Sequence, residues 1–216
     1  MRNLKSKRMH GIKASAYSES KYSNWTRFSP VDSEIDRIYN KYYEQIKSST
    51  NGPCFFEEKT HSSFIVPVSL QDLKNEYSKI PGTVRAGLKA VFILGGTSKI
   101  QSTSKTNFRY GTYWNNCIFI HPYPKNLMEQ RYTKSPRPHI LNDYRRVGAE
   151  VKLSNNCVSI RFTESALREF YLRDVFIHEM GHHVDRFFKK NNAKSEGFAE
   201  WFATEYGFRL RYFENK

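Results

Sequence analysis

Val175-Phe176-Ile177-His178-Glu179-Met180-Gly181-His182-His183-Val184-Asp185 is the stretch on which the reading of this 216-residue chain turns. Three leading apolar residues put it on a buried element, and its spacing makes that element a helix. Each helical residue turns about 100°, so His178 and His182 fall about 40° apart on one face. Two imidazoles so placed can reach one zinc ion at about 2.0–2.1 Å. Glu179 lies about 100° further round. There it can take a proton from a zinc-bound water without being a ligand. Two histidines and a glutamate are costly in a buried helix unless they are coordinated or paired. Gly181 costs on the order of 1 kcal/mol against alanine inside a helix, a cost expected where another element must come close. His183 points elsewhere and is a poor candidate ligand.

A catalytic zinc takes three protein ligands and keeps one position open. The next helix is expected over about 195–211, with Ser195 as its N-cap. It carries Glu196-Gly197-Phe198-Ala199-Glu200-Trp201-Phe202. Glu196 and Glu200 share a face that adjoins the apolar stripe of Phe198, Trp201, Phe202 and Tyr206, so that face turns inward. Two like charges there repel unless a cation stands opposite. A metal held by two histidines is such a cation.

His-Glu-Met-Gly-His-His-Val-Asp followed by Glu-Gly-Phe-Ala-Glu-Trp-Phe resembles the gluzincin metallopeptidases of the anthrax lethal factor catalytic-domain and proline-proline endopeptidase group. The resemblance is strong over about 172–206, weaker over 80–120, and covers nothing earlier. It implies Glu196 as the third zinc ligand, Glu200 orienting a histidine, and Asp185 in a similar supporting place. It also implies an edge strand that pairs with extended peptide and holds the scissile carbonyl over the metal. Cys117–Ile120, preceded by Gly111-Thr112-Tyr113, is the candidate for that edge. The family's tyrosine that stabilises the tetrahedral intermediate is replaced here by Lys189, and Tyr206, Tyr110, Tyr113 and His183 are the alternative donors. The expected function is a Zn2+-dependent metalloendopeptidase acting on protein or peptide, with Glu179 as general base.

Working outward, a helix reads from Asp32, with Asp32 or Ser33 as cap and Ile35, Ile38, Tyr39, Tyr42 and Ile46 on one face. Phe64–Val68 reads as a strand at an edge because of Pro67. Ser69 caps a short helix bearing Leu70, Leu73 and Tyr77, and residues 83–88 form a helical turn. Strands follow at Val91–Leu94, Cys117–Ile120 and Cys157–Phe162, with Asn115-Asn116 as a tight turn before the second. Residues 97–107 read as a mobile loop and 121–148 as a long surface insertion. Gly95-Gly96 lacks the third glycine and the Lys-Ser/Thr of a phosphate loop. The order is α+β: a small mixed or antiparallel sheet packed on helices, with two C-terminal helices carrying the zincin-like site. The expected domain is 31–216, with its core at about 80–210, behind a basic arm at 1–30.

Composition sets the outer limits. Hydrophobic residues make up 38% of the chain, and it has fourteen Tyr and sixteen Phe, too many for a disordered protein. No apolar run approaches the roughly 18 residues that a membrane span needs. Three scattered cysteines, Cys54, Cys117 and Cys157, form neither a disulfide framework nor a zinc knuckle. The N-terminus is basic without the apolar core of a secretory signal. A cytoplasmic monomer is therefore expected, with export by a dedicated machine or organellar targeting as the other routes. Thirty-five Lys and Arg stand against 21 Asp and Glu, a formal +14, which favours anionic partners such as nucleic acid or an acidic surface. The alternative to a peptidase is thus a nucleic-acid-associated protein with a structural or regulatory zinc site. A third reading is an effector delivered by its basic arm.

Overall fold

The computed structural model describes residues 30–100, 109–132, 138–154, 157–189 and 196–209. Residues 1–29 of the expected arm, residues 101–107 of the expected 97–107 loop and the Ser195 cap lie outside these. In chain order the elements are α1 (Pro30–Ser48), β1 (Cys54–Glu57), β2 (Phe64–Ile65), α2 (Leu70–Lys79), the single turn α3 (Gly82–Arg85) and β3 (Ala90–Ile93). Then come β4 (Gly111–Trp114), β5 (Cys117–Ile120), β6 (Tyr123–Pro124), β7 (Glu129–Tyr132), α4 (Pro138–Arg146), β8 (Glu150–Ser154) and β9 (Cys157–Arg161). The last helices are α5 (Glu164–Glu169), α6 (Ile177–Lys189) and α7 (Glu196–Thr204). The fold is α+β with two C-terminal helices, as the sequence indicates.

The main sheet has four strands in the order β1-β3-β5-β4. β1, β3 and β5 are parallel, and β4 runs antiparallel to β5. Alternation along the central strands sorts their side chains onto two faces. Ala90, Phe92, Leu94, Cys117 and Phe119 pack under α1 with Val31, Ile35, Ile38, Tyr39 and Ile46. Val91, Ile93, Ile118 and Ile120 face the other way, into the core shared with Leu73, Phe176, Ile177, Met180 and Phe202. The sheet is therefore a partition with α1 on one side and the histidine helix on the other. A second sheet, β7-β9-β8, and the pair β2-β6 complete the fold.

Four expectations need correction. The core does not begin near residue 80, because β1 pairs with β3 and α1 covers a whole face of the sheet. The chain is already helical at Pro30, a residue suited to a helix start, so Asp32 lies in the first turn instead of capping it. Residues 121–148 are no surface insertion. β6 pairs with β2 and β7 with β9, while Leu127, Tyr132, Leu141, Tyr144 and Val147 are buried. β1 and β4 are the outer strands of the main sheet, and β4 is the one beside the histidine helix; Cys117–Ile120 is flanked by β3 and β4. The cause is the tight turn: Asn115 and Asn116 have φ of 52° and 59°, and this two-residue reversal folds Gly111–Trp114 onto the outside of β5. Ser69, by contrast, caps α2 as read. Its hydroxyl accepts the Asp72 N–H at 3.1 Å, and the Asp72 carboxylate accepts the Ser69 N–H at 3.0 Å.

Candidate metal centre

The path into the site begins at α5. After Glu169 the helix widens over Phe170–Phe176 and then resumes as α6. Five of those seven residues, Phe170, Tyr171, Leu172, Val175 and Phe176, are buried, so the widened turn keeps its apolar and aromatic side chains inside while Arg173 and Asp174 stay half-exposed. His178 and His182 follow on one face of α6, with ring centroids 4.8 Å apart. Both are buried.

Glu196 opens α7 and reaches both rings. Its Oε2 lies 3.4 Å from His178 Nε2 and its Oε1 lies 3.4 Å from His182 Nε2. Ligand atoms of the three residues all fall within 4.8 Å of one another, the one such group among the described residues. Charge-assisted N–H···O bonds run at about 2.7–2.9 Å, so these contacts are too long to be good hydrogen bonds. Donor atoms held about 2.0–2.1 Å from a tetrahedral zinc stand ~3.3–3.4 Å apart, which is the spacing of the two histidine–glutamate contacts. Glu196 Oε1 is buried and has no hydrogen bond of good geometry. The residues therefore fit a zinc ion. Burial opposes ionisation of Glu196, but the two facing imidazoles outweigh it and hold the carboxyl well below the usual carboxylate range. The Glu196 side chain is 28% exposed against 10% and 9% for the histidines, so the cluster opens to the surface on its glutamate side.

Gly181 accounts for the approach of α7. A Cβ there would stand 2.8 Å from Ala199 Cα and 3.0 Å from Phe202 Cβ. The close approach expected from the sequence is present, and α7 is the element concerned. Further along, a Cβ on Gly207 would collide with the Arg173 carbonyl. That carbonyl lies in the widened turn before α6, so the segment after α7 meets the one before α6 at a second glycine.

Glu179 is 7% exposed and lies against the edge strand. A Cβ on Gly111 would be 2.8 Å from both Glu179 Cγ and Oε1, and 3.0 Å from Val175 Cγ1. The absence of a side chain at Gly111 thus lets the carboxylate sit directly on β4. No motif in the sequence announces this pairing, because residues 111 and 179 are joined only by the fold.

The remaining candidates separate. Asp185 is buried on α6 and Glu200 is half-buried one turn beyond Glu196. Tyr110 is buried in an aromatic cluster with Tyr123, Phe170 and Tyr171. Tyr113 is 2% exposed, and its hydroxyl meets Asn116 Oδ1 at 2.8 Å and His183 Nδ1 at 3.2 Å. Neither has a face open to substrate. Tyr206 stacks on Phe202 at 4.2 Å and stays half-buried beyond α7, which leaves it the accessible tyrosine of the three. His183 is no ligand. Its Nε2 lies 2.9 Å from the Ala86 carbonyl, and burial lowers its pKa. Neutral, with Nε2–H donating to Ala86, it ties α6 to the end of α3, and its Nδ1 lies beside the Tyr113 hydroxyl of β4. Lys189 ends α6.

No family model, curated protein or solved structure matches this chain.

Proposed function

We propose that the protein is a zinc-dependent metalloendopeptidase. The observation that carries this reading is the meeting of three side chains from two helices, with a glutamate next to one of them in sequence. His178, His182 and Glu196 converge at metal-ligand spacing, and Glu179 lies beside them in sequence, seated against an edge strand. His178, His182 and Glu196 would hold the ion. Bound zinc would supply a Lewis acid that acidifies a water and polarises a carbonyl.

The rest falls to the chain's own groups. Glu179 takes the proton of the attacking water and returns it to the leaving amine. β4 presents the outer edge of the main sheet, whose backbone N–H and C=O groups suit an extended peptide. Register then brings a substrate carbonyl past Glu179 at Gly111. Tyr206 is the donor proposed for the developing oxyanion, and Asp185 and Glu200 are proposed to support the ligand set from the same two helices.

Glu179→Gln is expected to keep one zinc per chain and to lose at least 10²–10³-fold in peptide hydrolysis, whereas His178→Ala loses the zinc itself. Metal analysis and a peptide-library cleavage assay read both. A wild-type protein that binds zinc and cleaves no peptide would overturn the proposal.

The +14 charge favours a second reading, an anionic partner such as nucleic acid with zinc in a structural or regulatory role. Retention on DNA that falls steeply with salt would support it. No described helix is long and apolar enough to cross a membrane.

A further inference from the structure

On the face of the sheet opposite the histidines, a set of polar contacts runs from α1 to the start of β4. Arg109, immediately before β4, donates from Nη1 to Asp32 Oδ1 at 2.8 Å. The pair is largely enclosed, with Arg109 7% and Asp32 14% exposed. Two residues later in α1, Glu34 Oε1 accepts the Gly96 N–H at 3.0 Å. Glu34 is 5% exposed. The two acids thus grip both ends of the segment that joins β3 to β4. A third contact holds the strand itself: Thr112 Oγ1 lies 2.9 Å from His121 Nε2 at the end of β5, on the α1 side. Gly111, between Arg109 and Thr112, turns its open face to Glu179.

We infer that Asp32, Glu34 and Arg109 are positioning residues that set where the β4 edge stands relative to Glu179. The inference rests on the reading of β4 as the peptide-holding edge. β4 is paired on one side only, so its inner neighbour β5 cannot by itself fix how far the first residues of the strand lean toward α6. The buried ion pair and the Glu34 bond supply that restraint from the other face. Releasing them should loosen the substrate-holding strand and leave the metal ligands, which sit on α6 and α7, in place.

The test uses the full chain loaded with zinc and an extended peptide substrate. Arg109→Met and Glu34→Met remove the contacts, while Arg109→Lys and Glu34→Gln keep a cation and an acceptor. Backbone hydrogen exchange over residues 109–114 should quicken at least several-fold in the methionine variants and recover in the conservative ones. KM should rise about fivefold or more with kcat within twofold, and zinc stoichiometry should stay at one. If a methionine variant fails to fold, Asp32→Asn, which keeps the shape and loses the charge, takes its place. Unchanged exchange over 109–114 overturns the inference, as does faster exchange with KM unmoved. If the wild type turns over no peptide, the peptidase reading fails, and the exchange data alone decide whether α1 sets β4.

Discussion

Glu34 carries a consequence for stability as well as position. Burial pushes its carboxyl up to about 7, against the opposing pull of the Gly96 N–H and Arg37. A folded value above the unfolded one means the native state holds an extra proton between about 4.5 and 7. Its contribution is therefore full below pH 4.5 and is lost as pH rises through 7. Glu34→Gln keeps the acceptor and cannot ionise, so it should raise Tm by several degrees at pH 8 and change it little at pH 4. Equal melting of the two proteins at pH 8 would refute this. Gly111 is the other residue on which much hangs. A methyl there meets Glu179 at 2.8 Å, and the carboxylate is the part that can move. Gly111→Ala is expected to lower kcat at least tenfold while one zinc per chain remains, and full activity would show that Glu179 need not touch the strand.

At the scale of elements, α6 and α7 meet where side chains are missing. Alanine at Gly181 would bring a methyl 2.8 Å from the Ala199 backbone, which has no rotamer with which to yield. α7 must then shift, carrying Glu196 off the histidines. Gly181→Ala should weaken zinc binding about tenfold, ~1.4 kcal/mol, with helical content preserved in far-UV circular dichroism. Undiminished zinc affinity would refute it. Much at this scale was legible in the chain. The 3.6-residue stripe of α1, the Ser69 cap, the Asn115-Asn116 turn and the cost of Gly181 are all local signals, and each appears in the fold. What escaped is non-local. β1 is four residues, Cys54–Glu57, whose place in the sheet comes from parallel pairing to a strand 36 positions on (Cys54 to Ala90). The identity of the edge strand depended on which side of β5 the hairpin fell, and no periodicity records that. Residues 121–148 looked external because they hold four of the eight prolines and six Lys and Arg, although Tyr132, Leu141 and Tyr144 among them are buried.

At the scale of the whole molecule, the sheet divides the labour: one face rests on α1 and the other on the helices of the candidate site. Neither the main sheet nor the Gly181–Ala199 contact runs through the ligand atoms. Removing zinc with a chelator should therefore lower Tm, by the equivalent of about 2.7 kcal/mol at a free zinc concentration a hundred times Kd, without unfolding the protein. Loss of all helical signal on chelation would contradict this. The donor set has one more implication, for the chemistry of the surroundings. Its atoms are imidazole nitrogen and carboxylate oxygen, and none is sulphur. Cys54, Cys117 and Cys157 are all free thiols on β1, β5 and β9, and burial pushes Cys117 up to about 12, where thiolate is scarce and oxidation slow. A centre built this way has no thiolate ligand for peroxide to oxidise or for a disulfide to capture, so its ligand set would not change with the thiol redox state around it.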